Sequence, residues 1–420
     1  MSRKSTLLEF LDRIPVFPRY LTYMALMGSI TAISQFGVVI ARKSLGADEF
    51  TVTLIAMAAP TASITSLWWA KLITGRDQRK LILIFGSLGI LALASGAFLH
   101  HAFHIIAIHF LWFLVFSLIR PAESRVLQQH IAGKSTGKTY GMGASLRLAV
   151  VAVVSGGAGL WMNYMANGFR NLYPMVALLG FAAILLLSSI RTSGDQIGKP
   201  LPIGRKLFTT PLVEMVQLLK RRKDFLRFEI AFMLFGGCFM MTTPVVPLYL
   251  VDTLELGYDT IGLARGTLAQ ITMMVVMQGL GRVFDRSTPH RLGVVFFCAM
   301  ALYPALLLLA GEVEGTLRMA LIYVSFAYFG VIMSGVEVLW QLSSIRFSQG
   351  EDVGLYQSVH VAATGLRGLT MPLTGFAIMT MYGKTAALMT AAVGFFAAGL
   401  LLALMRYIDI RKGENVSLRV

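Results

Sequence analysis

Of 420 residues, 56% are hydrophobic and only 14% charged, at a mean hydropathy of +0.70; a soluble domain carries about 25% charged residues. A bilayer core about 30 Å thick takes roughly 20 apolar residues per helix, so about a dozen spans use up the chain and a large soluble catalytic domain is excluded. The net charge of +16 and a pI near 10 would suggest nucleic acid in a soluble protein, but the placement of the charges removes that partner.

At the start, Leu7, Leu8, Leu11 and Ile14 fall at helical spacing among basic residues, which predicts a short interfacial helix. The first apolar run begins near Tyr20 with no small-residue cleavage site behind it, so no removable signal peptide is read. Apolar runs bounded by charge, Gly or Pro then predict twelve spans. They cover 20–40, 50–73, 81–99, 103–127, 141–162 and 172–190, then 226–251, 261–284, 292–311, 317–345, 356–382 and 384–406. The last two are separated only by Tyr382 to Lys384. The fold class is therefore an all-α membrane protein with twelve transmembrane helices in two six-helix halves, 1–190 and 226–420. Residues 191–225 form a basic cytoplasmic linker whose Lys220–Lys223 run is suited to anionic lipid.

Under this assignment Arg42, Lys43, Arg170, Arg318 and Lys384 stand on one side, and Arg120, Arg147, Arg265 and Arg367 within spans. All other Lys and Arg lie on the opposite side. Because cytoplasmic loops are enriched in Lys and Arg, both termini are expected in the cytoplasm and the chain in the plasma (inner) membrane. The excess charge is then mainly a topology signal.

The two halves are similar at an offset of 211 to 220 residues, with Glu123 aligning with Glu337, Tyr140 with Tyr356, and Leu146-Arg147 with Leu366-Arg367. The loop from Ala70 aligns with that from Gly281. In the latter, Gly281, Asp285, Arg286 and Arg291 match an echo of the Gly-x-x-x-Asp-Arg-x-Gly-basic-basic signature, with Thr288 at the second Gly. The first-half copy has Ala70 at the first Gly and Thr74 at the Asp, with Asp77, Arg79 and Lys80 nearby. In these features the chain resembles the major facilitator superfamily.

The resemblance implies a secondary transporter with two pseudo-symmetric halves, a central cavity lined by spans one, four, seven and ten, and a loop at Gly281–Arg291 that helps gate alternating access. Asp285 can instead be a plain helix-loop ion pair. The family's proton-linked drug exporters usually have Gly-Pro in span five; here SGGAG at Ser155 to Gly159 lacks the Pro, which weakens that reading.

Ionisable groups within spans are costly and become functional candidates. Arg367 lies 11 residues past Tyr356, about 16 Å deep and near the midplane; Arg147 is shallower. Glu123 and Glu337 fall in the cytoplasmic thirds of spans four and ten. Glu123 can pair with Arg120 or Arg147, and Glu337 either couples protons or cations or forms a strut with Arg367. Arg265, near the outer end of span eight, can snorkel, and Glu229 has similar status. Four span arginines against two glutamates tilt the substrate toward an anion unless ion pairs balance them. Gln35, Thr242, Thr243 and Gln270 are neutral candidates at mid-span depth, with Pro244 and Pro247 interrupting span seven as in broken carrier helices.

His100, His101, His104 and His109 cluster without a nearby carboxylate, and Cys238 and Cys298 lie in apolar runs, so no metal site is read. There is no phosphate-cradling loop, Ser/His/Asp order or HExxH, hence neither an enzyme nor a cofactor is expected. The expected partners are a small solute, protons and membrane lipid. The alternative is a non-transporting membrane receptor or assembly scaffold on the same fold; a channel lacks a filter-like segment.

Overall fold

The computed structural model describes residues 14–73, 76–130, 136–191, 204–348, 351 and 353–411. The interfacial helix expected at Leu7–Ile14 therefore lies almost wholly outside the described residues, as does Thr74. Among the described residues ten helices are long and apolar enough to cross a bilayer, and two local breaks reconcile that number with twelve crossings.

The first break is in span two, which is split into Glu49–Ser63 and Ser66–Ile73. Pro60 lies inside the first piece; it cannot donate to the helix ladder and crowds the preceding turn. Two residues after that piece ends, Thr65 donates to Ala62 O at 2.6 Å and shares a hydrogen bond with Ser117 of span four at 2.8 Å.

The second break is in Val353–Arg411, whose 59 residues would extend about 88 Å as one helix, far beyond a bilayer. Gly383, at φ 89° and ψ 165°, turns the chain back, so spans eleven and twelve are joined through one residue. That backbone region is essentially open to glycine alone. Gly383→Ala is expected to cost about 1–3 kcal/mol and lower the thermal unfolding midpoint in detergent; an unchanged midpoint would show that the turn is unstrained.

The other spans are Val16–Lys43 (one), Gln78–Ala94 (three), Ala102–His130 (four), Thr136–Tyr164 (five), Phe169–Ser189 (six) and Lys223–Leu248 (seven). Span eight starts at Tyr258, passes through a π-helical segment Gly262–Leu268 and ends as Ala269–Asp285. Span nine is Pro289–Met300 and Leu302–Gly311, and span ten is Gly315–Ser348. Side chains cap several starts: Asp48 accepts from Thr51 N at 2.6 Å, Asp77 from Arg79 N at 3.0 Å and Thr288 from Arg291 N at 3.2 Å. The Thr51 amide holds the Asp48 carboxyl below its ordinary range.

Ile84, Leu88 and Leu91 on span three, and Met389, Val393, Phe396, Leu400 and Leu404 on span twelve, are exposed. Their spacing of three or four puts each set on one helix face. In water such stripes would be aggregation surfaces; in lipid they are the outer wall. Inward faces pack on aromatic clusters, as where Phe235 stacks on Phe297 with centroids 4.1 Å apart.

Span one packs on five and six, and three on four and six; span seven packs on eleven and twelve, and nine on ten and twelve. Between the halves, span five meets eight and span two meets eleven. A shift of six spans converts one of these junctions into the other, as pseudo-symmetry requires.

Two sequence readings change. Gly281 sits within the helix Ala269–Asp285 rather than in a turn, and the turn itself is made by 286–288, where Thr288 caps span nine. The side chain of Asp285 lies outside the described residues, while Arg286 and Arg291 are exposed. The linker also contains a helix, Arg205–Arg221, and Arg222 beside it is turned inward. It bonds Asp224 at 3.0 Å and the Tyr356 hydroxyl at 2.8 Å, fastening the linker to the C-terminal half. Asp224 raises the affinity of that guanidinium for its proton.

Candidate functional site

Spans one, four, five, eight and ten enclose a cavity of about 340 Å³, within the size range of small-molecule sites. Gln35 from span one, Arg147 from five, Gln270 from eight and Glu337 from ten all line it. Four candidates separated by up to 302 positions in sequence thus share one chamber. Arg120 of span four joins them, its guanidinium 4.8 Å from the Phe116 ring centroid. Met27, Ile30, Trp112, Phe113, Met273 and Met277 supply much of the apolar wall. Glu337 accepts from Gln341 Nε2 at 3.1 Å, one turn along its own helix. The wall therefore presents two guanidiniums, one carboxylate and two amides, an arrangement able to hold a negatively charged group against an apolar body.

The other candidates stand elsewhere. Thr242 and Thr243 donate to Phe239 O and Met240 O of their own helix, the usual fate of a span threonine. Arg367 is 3% exposed and lies outside the cavity lining. It donates to Phe232 O at 3.0 Å and Thr364 Oγ1 at 2.7 Å, so it joins spans seven and eleven rather than pairing with Glu337. Gly236 makes room for it, since a Cβ there would lie 2.4 Å from the guanidinium carbon. Arg265 reaches across to Gln35 O at 3.4 Å instead of snorkelling. Glu123 is buried and accepts from the hydroxyls of Tyr20 at 3.3 Å and Tyr23 at 3.4 Å. Those tyrosines were not singled out from the sequence, where they look like ordinary residues of an apolar run.

The chain-terminal ends of spans one and twelve mark one face of the bundle, and the turns at 44–48, 254–257 and 383 mark the far face. At the far face the halves are tied together. Asp252 binds Arg42 at 2.8 Å and Lys384 at 3.1 Å, and Lys384 also meets Glu49 at 3.3 Å. Lys43 donates to Leu256 O at 2.9 Å, and Ser44 shares a 2.7 Å hydrogen bond with the Tyr258 hydroxyl. Beneath this layer the SGGAG stretch packs on span eight: Thr267 donates to Ala152 O at 2.8 Å, and a Cβ on Gly159 would lie 3.2 Å from Gly262 Cα. Of the five basic residues that break the topology pattern, Arg42 and Lys384 are thus accounted for by a cross-half ion-pair layer and Lys43 by its hydrogen bond to Leu256 O.

Residues 19–358 match the family model described as Major Facilitator Superfamily. No curated protein matches the sequence. Among solved structures, a bacterial homologue of the human drug peptide transporters PepT1 and PepT2 is 10% identical with a TM-score of 0.70, over 94% of this chain and 98% of that one. A D-xylose-proton symporter is 14% identical with a TM-score of 0.65, over 92% and 96%. A human organic anion transporter is also 14% identical, with a TM-score of 0.61 over 92% and 97%. At these identities the likeness is one of fold.

Proposed function

The chain belongs to the Major Facilitator Superfamily of secondary transporters, and we propose that it carries a small anionic solute through the cavity bounded by Arg120, Arg147 and Glu337. It is an integral, multi-pass membrane protein. The observation that carries the substrate class is the wall itself, where two guanidiniums face one carboxylate inside an apolar chamber between the halves. The similar structures are named for peptide, sugar-proton and organic anion transport, cargoes of a size such a chamber holds.

The halves, 1–190 and 226–420, rock about the cavity while the 191–225 segment joins them. With both termini cytoplasmic in the plasma (inner) membrane, the far face is the outer one, and the Arg42–Asp252–Lys384–Glu49 layer closes it. Solute then enters or leaves on the cytoplasmic side until these contacts part. Glu337 carries the coupling proton: its carboxylate on the cavity wall repels an anionic solute, and a proton placed on it removes that repulsion, so proton and solute occupy the cavity together. Gly281, Asp285, Arg286 and Arg291 act at the cytoplasmic edge, where the opposite closure must form. Exposed basic residues of the linker, such as Lys220, rest on anionic lipid.

A thermal-shift screen of purified protein against small organic anions finds the ligand, since binding to the folded state raises its stability by mass action. Arg147→Gln is expected to weaken a hit about 10- to 100-fold, the worth of a charge-assisted hydrogen bond of about 1.5–3 kcal/mol. Unchanged affinity would remove Arg147 from the site. In proteoliposomes Glu337→Gln is expected to abolish uptake driven by a pH gradient and to keep exchange of solute for solute. Intact gradient-driven uptake would show that the coupling proton is held elsewhere. Saturable flux of any kind separates the carrier from a receptor or scaffold.

A further inference from the structure

Glu229 of span seven and His360 of span eleven meet in the core of the C-terminal half. Oε1 and Nδ1 are 2.7 Å apart, with the side chains 5% and 0% exposed. Neither residue lines the cavity. Glu229 Oε2 and His360 Nε2 have no hydrogen-bond partner among the described residues. Phe232 and Trp340 pack on the imidazole, with ring centroids 4.7 and 5.7 Å away. Thr364 donates to His360 O at 3.0 Å, accepts from Arg367 at 2.7 Å, and faces the Trp340 indole nitrogen at 3.4 Å.

This set has more ionisable character than a strut between two helices needs. Replacing a buried ion pair by packed apolar side chains is often neutral or stabilising, and the surrounding phenylalanines show that the space accepts apolar groups. The charges also sum informatively. Arg367 is always protonated, so with Glu229 ionised and His360 neutral the cluster has no net charge. One added proton brings it to +1, with the new charge on the imidazole held directly against a carboxylate. Both occupancies avoid an isolated buried anion.

We propose that Glu229 and His360 form a proton-binding site in the C-terminal half, separate from the central cavity and connected to its wall by Trp340. Trp340 lies three residues from Glu337 on span ten, so the same helix has one turn against the proton site and the next in the cavity. Charging His360 changes what Trp340 and Thr364 pack against, and thereby the seating of the segment that carries Glu337. Of the charged groups around the pair, Arg367 from span eleven acts electrostatically on Glu229; farther along the same helices are Tyr356, four residues before His360, and the Arg222–Asp224 pair at the start of span seven, while Glu337 of span ten stands on the cavity wall. Beyond Phe228, His290 comes from span nine, with Arg406 of span twelve near it. Coupling to solute rests on the transporter reading; proton binding does not.

Tryptophan emission of the full-length protein in detergent, followed from pH 8 to pH 5 with no solute, tests the site, because a protonated imidazole quenches a neighbouring indole. The expected result is one transition whose amplitude disappears in Trp340→Phe and in His360→Gln. Glu229→Gln is expected to lower its midpoint by at least about one pH unit, a tenfold loss of proton affinity, since the imidazolium then faces Arg367 without a carboxylate. Arg367→Gln is expected to raise it. If Glu229→Gln does not fold, Glu229→Asp, which lengthens the gap, should lower the midpoint in the same direction. No transition in the wild type, or one that survives in Trp340→Phe, overturns the proposal and leaves the transport reading untouched.

Discussion

Gly262→Val is expected to force the far face of the bundle open. A Cβ at that position would lie 2.8 Å from Ser155 O and 3.2 Å from both Gly159 Cα and Phe36 Cζ. The first of these neighbours is backbone and cannot swing away. On the opposing helix, a Cβ at Gly159 would meet Tyr258 O at 2.6 Å, so spans five and eight touch nearly backbone to backbone, as small residues permit in membranes. Overpacking a tight contact costs about 1–3 kcal/mol. Because this contact joins the two halves, the cost falls on the closed arrangement alone and shifts the access equilibrium about 5- to 150-fold toward the parted one. Spin labels at Tyr164 and Thr253, both exposed beside this junction, read the result in a variant lacking Cys238 and Cys298. A longer label separation is expected, together with slower solute exchange. An unchanged distance distribution would mean that the junction does not part during transport.

Asp252→Asn is expected to act in the same direction through charge. Asp252 is the carboxylate that touches both Arg42 and Lys384, with side-chain exposures of 17%, 29% and 21%. The amide keeps the shape and removes the charge, leaving two cations near each other with Glu49, Asp48 and the Ala47 carbonyl beside them. For partly buried, hydrogen-bonded charges the loss is about 1–2 kcal/mol, or roughly a 5- to 30-fold shift toward the open far face. Salt distinguishes this cause from a packing defect. Raising ionic strength screens the wild-type layer and should move its label distances toward those of the variant, whose own distances should change little. If the two respond to salt alike, the layer does not hold the closed state.

One helix break was readable and one was not. The narrow separation at Tyr382–Lys384 marked the turn that Gly383 makes in a backbone conformation other residues avoid, whereas 50–73 was read as one span although Pro60 disrupts its ladder and the helix divides after Ser63. The linker was less legible, since Arg205–Arg221 has helical periodicity within a strongly basic stretch. Within the site, Gln35, Arg147, Gln270 and Glu337 were visible because polar groups in apolar runs stand out. Trp112, Phe113 and the methionines of the same wall were not, because an apolar residue lining a cavity and one facing lipid look the same in sequence. His360 was missed for a related reason: its partner, Glu229, is 131 positions away, and no local pattern links them.

The sequence by itself determined that the chain is an all-helical, multi-pass membrane protein, and it set the spacing of charged residues along each helix, because hydropathy is local and each helical residue advances a fixed 1.5 Å. It did not determine which way each residue faces around its helix. Arg147 and Arg367 occupy aligned positions in the two halves, yet Arg147 enters the cavity and Arg367 turns to Phe232 and Thr364. That choice is set by how neighbouring spans rotate to pack, with Gly236 vacating the space that Arg367 fills. Position along a helix follows from counting residues, whereas direction follows from the contacts of several helices at once, and only the tertiary structure contains those.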